Sequence, residues 1–378
     1  MPEDYTNSFE EDNNIDLFED EPIIDPEEKD DTVSAVIYDI SSHGVDYDVE
    51  GIVKRLNRGD IIIPPFQRDY VWNIAEASRL VESILLGLPI PGVFLAKDPE
   101  TKKLLVIDGQ QRLKSLQFFY NGYFNPKPEA RTKRTFRLKK VQDKFEGLEY
   151  SELASNDRRT LDDGAIHATI IKQESPAEDN TSIYHVFERL NTGGRKLVPQ
   201  EIRAAIYMGK VNDLIGELND NEIWRKVYGK KNTRLKDQEL ILRFFAMFYG
   251  ISEYEKPIKE FLNKFNQKHR NLDDHLAAQW KAKFIETITY VANNGGKSLF
   301  QPEGVFNTNA FESIMVGIAR RLDDGSSLNN LDVEKLKEQL FDDQQYLDSI
   351  TRATSDVSVV ELRHRLVAEA MSESFIND

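Results

Sequence analysis

The residues best suited to chemistry form the run Asp-Gly-Gln-Gln-Arg at positions 108–112. The guanidinium of Arg112 suits bidentate binding of phosphate, and the carboxylate of Asp108 suits Mg²⁺ binding or proton abstraction. Gln110 and Gln111 supply uncharged donors and acceptors that orient a phosphate or an attacking water, and Gly109 offers a backbone N–H. The run predicts phosphate chemistry, although the same residues also suit an ordinary helix N-cap followed by a surface arginine.

The elements around this run support the prediction. Four apolar residues, Leu104–Ile107, predict a buried strand, and the spacing of Leu113, Leu116 and Phe119 predicts an amphipathic helix. A short polar turn separates this strand from an earlier apolar run, Val93–Ala96, so the two strands are expected to form a hairpin. The run therefore lies where a strand ends and a helix begins, and the first N–H groups of a helix favour an anion.

Two further motifs accompany this run. Upstream, Ile63–Trp72 contains Phe-Gln-Arg, and downstream, Phe187–Leu197 contains Asn-Thr-Gly-Gly-Arg and is followed by Gln200–Arg203. Together the three ordered motifs resemble the family whose hallmark is the DGQQR motif, catalogued as domain of unknown function 262. That family includes GmrS/GmrD-type modification-dependent restriction systems and related phage-defence proteins. The resemblance covers about residues 49–208.

The resemblance implies a ParB/sulfiredoxin-like fold that binds nucleotide and, in several members, hydrolyses it in aid of DNA restriction. It also implies that Gln67 and Arg68 close the nucleotide pocket from a facing loop, and that Asn191 and Arg195 contribute near it. A helix C-cap alone also explains the Asn-Thr-Gly-Gly stretch.

Charge and periodicity predict an α+β protein in three parts. Residues 1–32 form an acidic tail expected to be disordered, because residues 1–31 hold fourteen acidic residues and a single lysine. The net charge of −16 therefore leaves the remainder at about −3, which does not exclude nucleic acid. Residues 33–198 form the ParB/sulfiredoxin-like DGQQR domain. Residues 199–378 form an all-helical domain with apolar periodicity at 199–208, 211–218, 236–249, 257–265, 274–292, 308–321, 331–340 and 357–371.

The composition excludes several classes of function. The 378 residues are 40% hydrophobic and contain no cysteine, which removes disulfides, thiolate catalysis and Cys-based zinc sites. No apolar run approaches about 20 residues, and the acidic N-terminus is unlike a signal peptide. The sequence predicts a soluble, cytoplasmic protein that does not associate with a membrane.

A basic segment is the candidate DNA contact. Residues 127–144 hold eight basic residues against two acidic ones. Phe136 and Leu138 alternate with basic residues, which predicts a half-buried strand with a positive face. Such a face suits either the DNA backbone or plain solvation. The candidate DNA-binding residues are Lys133, Arg134, Arg137, Lys139 and Lys140.

Several catalytic motifs are missing from the sequence. There is no Walker A sequence, no zinc-binding spacing and no His-Asn-His nuclease motif, and His364 is expected on a solvated helix face. We therefore expect an NTP-binding and NTP-hydrolysing component of a DNA restriction or phage-defence system. It would use Mg²⁺ held at Asp108, bind DNA, and act with a His-Asn-His nuclease partner; the sequence leaves open whether the DNA must be modified. The alternatives are a non-catalytic DNA-binding or regulatory module and a metal-dependent nuclease that uses the same pocket.

Overall fold

The computed structural model describes residues 23–25, 39–64, 70–98, 100–126, 132–175, 181–190, 198–324, 328 and 331–374. The strands in these ranges are β1 (Ile23–Ile24), β2 (Asp39–Asp48), β3 (Ile61–Ile62), β4 (Val93–Lys97), β5 (Leu104–Asp108), β6 (Ala165–Ser175) and β7 (Phe306–Asn307). The α-helices are α1 (Val49–Arg58), α2 (Ile74–Leu85), α3 (Gln110–Asn121), α4 (Ser155–Asp162), α5 (Thr181–Leu190), α6 (Pro199–Ile206), α7 (Lys210–Asn219), α8 (Glu222–Tyr228), α9 (Lys236–Gly250), α10 (Ile258–Lys268), α11 (Asp274–Asn293), α12 (Thr308–Asp323), α13 (Val333–Asp342), α14 (Gln344–Thr351) and α15 (Val357–Glu373). None of these helices combines the length and the apolar character that crossing a membrane requires.

A five-stranded mixed sheet organises the first half of the chain, with the order β2-β6-β4-β5-β3. Strands β2 and β4 flank β6, antiparallel and parallel to it respectively, and β4 pairs with β5 as an antiparallel hairpin. The register places Phe94 beside Asp108 and Asp46 beside His167. As a result, the ends of β2 and β5 and the starts of β4 and β6 lie at one edge of the sheet, called the site edge below.

The two faces of this sheet bury different helices, because successive strand residues point to opposite sides. Val106 and Leu95 belong to a core cluster that includes residues of α1, α2, α3 and α4. Leu105 and Ile107 belong to a second cluster with residues of α5 and α6, such as the fully buried Phe187. Helix α3 and helix α5 therefore lie on opposite faces of β5.

The second half of the chain is a helical region with its own core. Helices α7 to α15 contribute to one large cluster, in which Trp224, Phe284 and Phe311 are completely buried. The central helix α9 buries ten of its fifteen residues, so its apolar positions extend around most of its circumference. A mixed α/β part followed by a mostly helical part confirms the predicted α+β class in this coarse form.

A short contact joins the start of the chain to the helical region. Ile23 and Ile24 pair in parallel with Phe306 and Asn307, although the sequence placed these first residues in a disordered tail. Asp25 then lies 3.3 Å from Nη2 of Arg243, a side chain that is only 3% exposed. The helical region therefore contains a two-stranded sheet, which apolar periodicity alone did not predict.

Several other local predictions have clear outcomes. The hairpin of β4 and β5 is confirmed, and so are helices in all eight of the periodic segments from residue 199 onward. Two helices of seven and eight residues, α8 and α14, were not predicted. The strand predicted at Phe136 and Leu138 is wrong: both side chains are fully buried, but the segment is irregular, with one isolated bridge between Thr135 and Tyr123.

The expectation for His364 is also wrong. Its side chain is 5% exposed and lies 3.5 Å from Oε1 of Glu312. The same oxygen accepts a hydrogen bond from Nη2 of Arg363 at 2.7 Å, and neither side chain of that pair is exposed. Arg363 and His364 of α15, which appear solvated in the sequence, thus form a buried cluster with Glu312 of α12.

Candidate functional site

The turn between β5 and α3 depends on a glycine. Asp108 ends the strand, Gly109 takes a left-handed conformation with φ of 101°, and α3 begins at Gln110. A Cβ atom at position 109 would lie 2.4 Å from Cγ1 of Val93, so the turn has no room for a side chain at this position. Gly109 has no side chain with which to cap α3, and the N-terminal end of a helix favours an anion.

Arg112 is held at this turn by two hydrogen bonds. Its Nη2 atom donates to Oδ2 of Asp108 at 2.8 Å and to the carbonyl oxygen of Gly92 at 2.9 Å. The Arg112 side chain is 18% exposed and that of Asp108 is 46% exposed. The site edge therefore presents a carboxylate on the outside with a sheltered cation behind it.

Gln111 has a structural role at the same turn. Its Oε1 atom accepts hydrogen bonds from the backbone N–H groups of Val71 at 3.0 Å and Trp72 at 3.3 Å. Nearby, the hydroxyl groups of Tyr70 and Ser115 lie 2.7 Å apart, and burial raises the pKa of Tyr70 to about 12. Helix α3 thus fixes the backbone at residues 71 and 72, just after the Gln-Arg pair at positions 67–68, which lies outside the described residues.

The structure brings together four of the predicted site residues and the glycine between them. Asp108, Gly109, Gln111 and Arg112 lie on one turn, and Gln110 is 8% exposed at the start of α3. The other predicted nucleotide contacts, Gln67, Arg68, Asn191 and Arg195, lie outside the described residues.

The turn is suited to Mg²⁺ only together with a ligand that brings more oxygen atoms. No group of three or more acidic or histidine side chains that could hold a metal occurs among the described residues. Mg²⁺ in nucleotide sites is commonly bound by one or two carboxylates together with phosphate oxygens. Asp108, half exposed at the site edge, fits that arrangement.

Some cations of the basic segment are exposed to solvent, whereas others form ion pairs within the protein. Nη2 of Arg137 lies 2.5 Å from Oε1 of Glu149, and its Nη1 donates to Oε2 of Glu152 and to the Gly147 carbonyl, both at 2.9 Å. Lys139 and Lys140 are exposed. Two further cations stand over aromatic rings, Lys133 at 5.3 Å from the Tyr123 centroid and Arg134 at 5.5 Å from that of Phe124.

One pair of potentially reactive side chains at the site edge was missed by the sequence analysis. Nδ1 of His167 on β6 lies 2.8 Å from Oδ1 of Asp46 on β2. The two residues are 121 positions apart, and only the strand register places them side by side. No local sequence signal could have identified this pair.

Residues 49–208 match the family model described as GmrSD restriction endonuclease, N-terminal domain. The matched segment begins at the first residue of α1 and ends just after α6, so it contains the Asp108–Arg112 turn, the basic segment and His167. Over this segment, which is less than half of the chain, the sequence is similar to that restriction endonuclease family.

A curated relative is similar over a shorter stretch. The chain is 32% identical over 96 residues to an uncharacterized protein of Methanocaldococcus jannaschii. The alignment covers 19% of this chain and 16% of that protein, so it spans about a sixth of the relative's length. Because that protein is uncharacterized, the similarity does not indicate an activity for this chain.

Proposed function

We propose that this chain is a nucleotide-binding and NTP-hydrolysing component of a DNA restriction or phage-defence system. The turn would be the DGQQR motif of a ParB/sulfiredoxin-like domain, and the family match over residues 49–208 supports this assignment. The observation that carries the proposal is the pairing of Arg112 with Asp108 at the start of a helix. A cation, a carboxylate and a helix N-terminus are the groups that phosphoryl transfer requires.

The ion pair gives each residue a defined role when nucleotide binds. A terminal phosphate is a stronger acceptor for a guanidinium than one carboxylate, because it offers more charge and more oxygen atoms. Phosphate at Arg112 would release Asp108, which then holds Mg²⁺ that neutralises charge on the phosphates. Arg112 would stabilise the charge that develops on the leaving group, while Gly92 keeps its guanidinium in place.

DNA and a partner nuclease complete the proposed system. The matched domain has a basic surface formed by four side chains. Lys139 and Lys140 are exposed, and Lys133 and Arg134 lie over aromatic rings. This surface also favours the second candidate, a regulatory DNA-binding module without turnover. In either case a His-Asn-His partner would supply cleavage.

The test is release of inorganic phosphate from ATP, GTP, CTP and UTP with Mg²⁺, with and without DNA. The proposal predicts that Arg112→Ala and Asp108→Ala each lower turnover at least 100-fold. Arg352→Ala is the matched control, because Arg352 forms the same type of i,i+4 pair with Asp348 on the exposed surface of α14. Turnover in both site variants at the wild-type rate contradicts the proposal. DNA binding by a folded wild type that turns over no nucleotide favours the regulatory module, and nicking of plasmid DNA with Mg²⁺ or Mn²⁺ favours a nuclease.

A further inference from the structure

We propose that His167 and Asp46 are a general-base pair that serves the same site edge as Arg112. The inference rests on the proposed function and adds the group that takes a proton from the attacking water. Among the described residues, the Asp108–Arg112 turn provides a carboxylate and a cation but engages both with each other. A separate base would let Asp108 bind the metal while another group activates water.

The hydrogen bond between the two residues determines which ring nitrogen can act. A carboxylate only accepts hydrogen bonds, so Nδ1 of His167 donates to Asp46 across 2.8 Å. The neutral ring then carries its lone pair on Nε2, which has no hydrogen-bond partner among the described side chains. With the His167 side chain 59% exposed, that nitrogen is accessible to a substrate.

Two glycines give the imidazole its place on the sheet. A Cβ atom at Gly44 would lie 2.7 Å from Cε1 and 3.2 Å from Nε2 of His167. A Cβ atom at Gly92 would lie 3.5 Å from Cδ2 of the same ring and 2.8 Å from its backbone oxygen. The ring therefore lies over backbone that has no side chains, between β2 and the start of β4.

Gly92 connects the pair to the predicted site. Its carbonyl oxygen accepts the hydrogen bond from Arg112 at 2.9 Å, and one of its Cα hydrogens points toward the backbone oxygen and the ring of His167. Residues 166 and 168 pack with α1–α4, so His167 points to the other face of the sheet, whereas Arg112 comes from α3. The two groups approach the site edge from opposite faces of the sheet, and both lie against Gly92. A triphosphate that passes around the strand ends at Gly92 would reach both groups.

The proposed step is balanced as hydrolysis of a phosphoanhydride. Nε2 of His167 takes a proton from water as the water oxygen bonds to the terminal phosphorus. The bond from that phosphorus to the bridging oxygen breaks, and the electron pair leaves with the nucleoside diphosphate near Arg112. His167 then passes its proton to solvent, and Asp46 holds the ring in one orientation throughout.

The test compares His167→Ala with His43→Ala, a control that removes an exposed histidine from edge strand β2. Phosphate release is measured at saturating NTP with Mg²⁺, and affinity is measured for a non-hydrolysable analogue of the same NTP. We expect kcat to fall 100- to 10,000-fold in His167→Ala, with analogue affinity within about threefold of wild type. Added imidazole should restore part of the rate in His167→Ala only, which a purely structural histidine would not show.

Two variants test the positioning of the ring. Asp46→Asn should lower kcat less than His167→Ala does, and imidazole should not restore it. Gly44→Ala keeps the imidazole but displaces it, and it should also lower kcat. If Arg112→Ala abolishes turnover while His167→Ala retains it, the general-base role of His167 and Asp46 is wrong and the proposed function stands. A wild-type protein that turns over no nucleotide overturns both.

Discussion

Arg112 and Asp108 form an ion pair across one turn at the start of α3, with 2.8 Å between Nη2 and Oδ2. The Asp108 side chain is more than twice as exposed as that of Arg112. An incoming cation would therefore meet the carboxylate first, and an incoming phosphate would compete with that carboxylate for the guanidinium. This arrangement keeps two opposite charges neutralised until a ligand that brings both a metal and phosphates arrives.

Replacement of Gly109 by alanine should destabilise the protein beyond the ordinary cost of a left-handed alanine. The new Cβ would meet Val93 at 2.4 Å, so we expect about 2 kcal/mol or more in the free energy of unfolding. Gly122→Ala is the matched control at the other end of α3. The φ angle of Gly122 is also positive, at 78°, but a Cβ atom there would meet nothing within 4 Å. We therefore expect Gly122→Ala to lower the free energy of unfolding by about 1 kcal/mol. Urea unfolding measures both. Equal costs would show that Val93 does not restrict the turn.

Gln111→Leu should loosen the backbone at Val71 and Trp72, because both N–H groups lose their acceptor. We expect faster hydrogen exchange at these two amides and a loss of about 1 kcal/mol in stability. Gln111→Glu keeps an acceptor oxygen and should preserve the protection. Unchanged exchange in Gln111→Leu would mean that these hydrogen bonds do not hold the segment.

Within the basic segment, exposed lysines and the paired arginine should behave differently in DNA binding. Removing Lys139 and Lys140 together should reduce the dependence of log affinity on log salt by about 2, since each phosphate contact contributes close to one counterion. Arg137→Ala should leave that slope unchanged, because its guanidinium is engaged by Glu149 and Glu152. Lys54→Ala is a control for an exposed lysine on α1. A smaller slope in Arg137→Ala alone would contradict this distinction.

The buried cluster of α12 and α15 should make the protein sensitive to acid. Burial raises the pKa of Glu312, but the charge of Arg363 and contact with His364 outweigh it and lower the pKa to about 2. Burial lowers the pKa of His364. Both groups bind protons more readily in the unfolded chain, so stability is lost as pH falls, first below 6.5 and then between 4.5 and 2.

This sensitivity is measured by urea unfolding at a series of pH values. The Glu312 share corresponds to about 3 kcal/mol between pH 4.5 and 2. Glu312→Gln should cost 3–5 kcal/mol at neutral pH, roughly the cost of leaving a buried arginine without its partner, and should flatten the acid limb. Glu334→Gln, at a side chain that is 71% exposed, should do neither. A steep acid limb in Glu312→Gln would assign the effect to other groups.

Apolar patterning predicted the elements that carry the Asp108–Arg112 turn, because buried strands and amphipathic helices repeat with fixed periods. It did not predict β2, since an edge strand of mostly exposed residues has no apolar repeat to recognise. The pairing of His167 with Asp46 was hidden for the same reason. It also misjudged His364 and Arg363, whose side chains are buried against Glu312 on a distant helix.

The short pairing of β1 with β7 changes where the helical region begins. The partly buried Ile23 packs against its core, and its buried Arg243 has a counter-ion in Asp25. In the order of the chain, the sheet and its helices, residues 39–190, are therefore inserted between two segments that belong to the helical region. Two covalent connections restrict how the inserted domain can rotate against the rest of the chain. A shortened protein that begins at residue 33 would therefore lack β1 and Asp25, and so would lose part of the helical region.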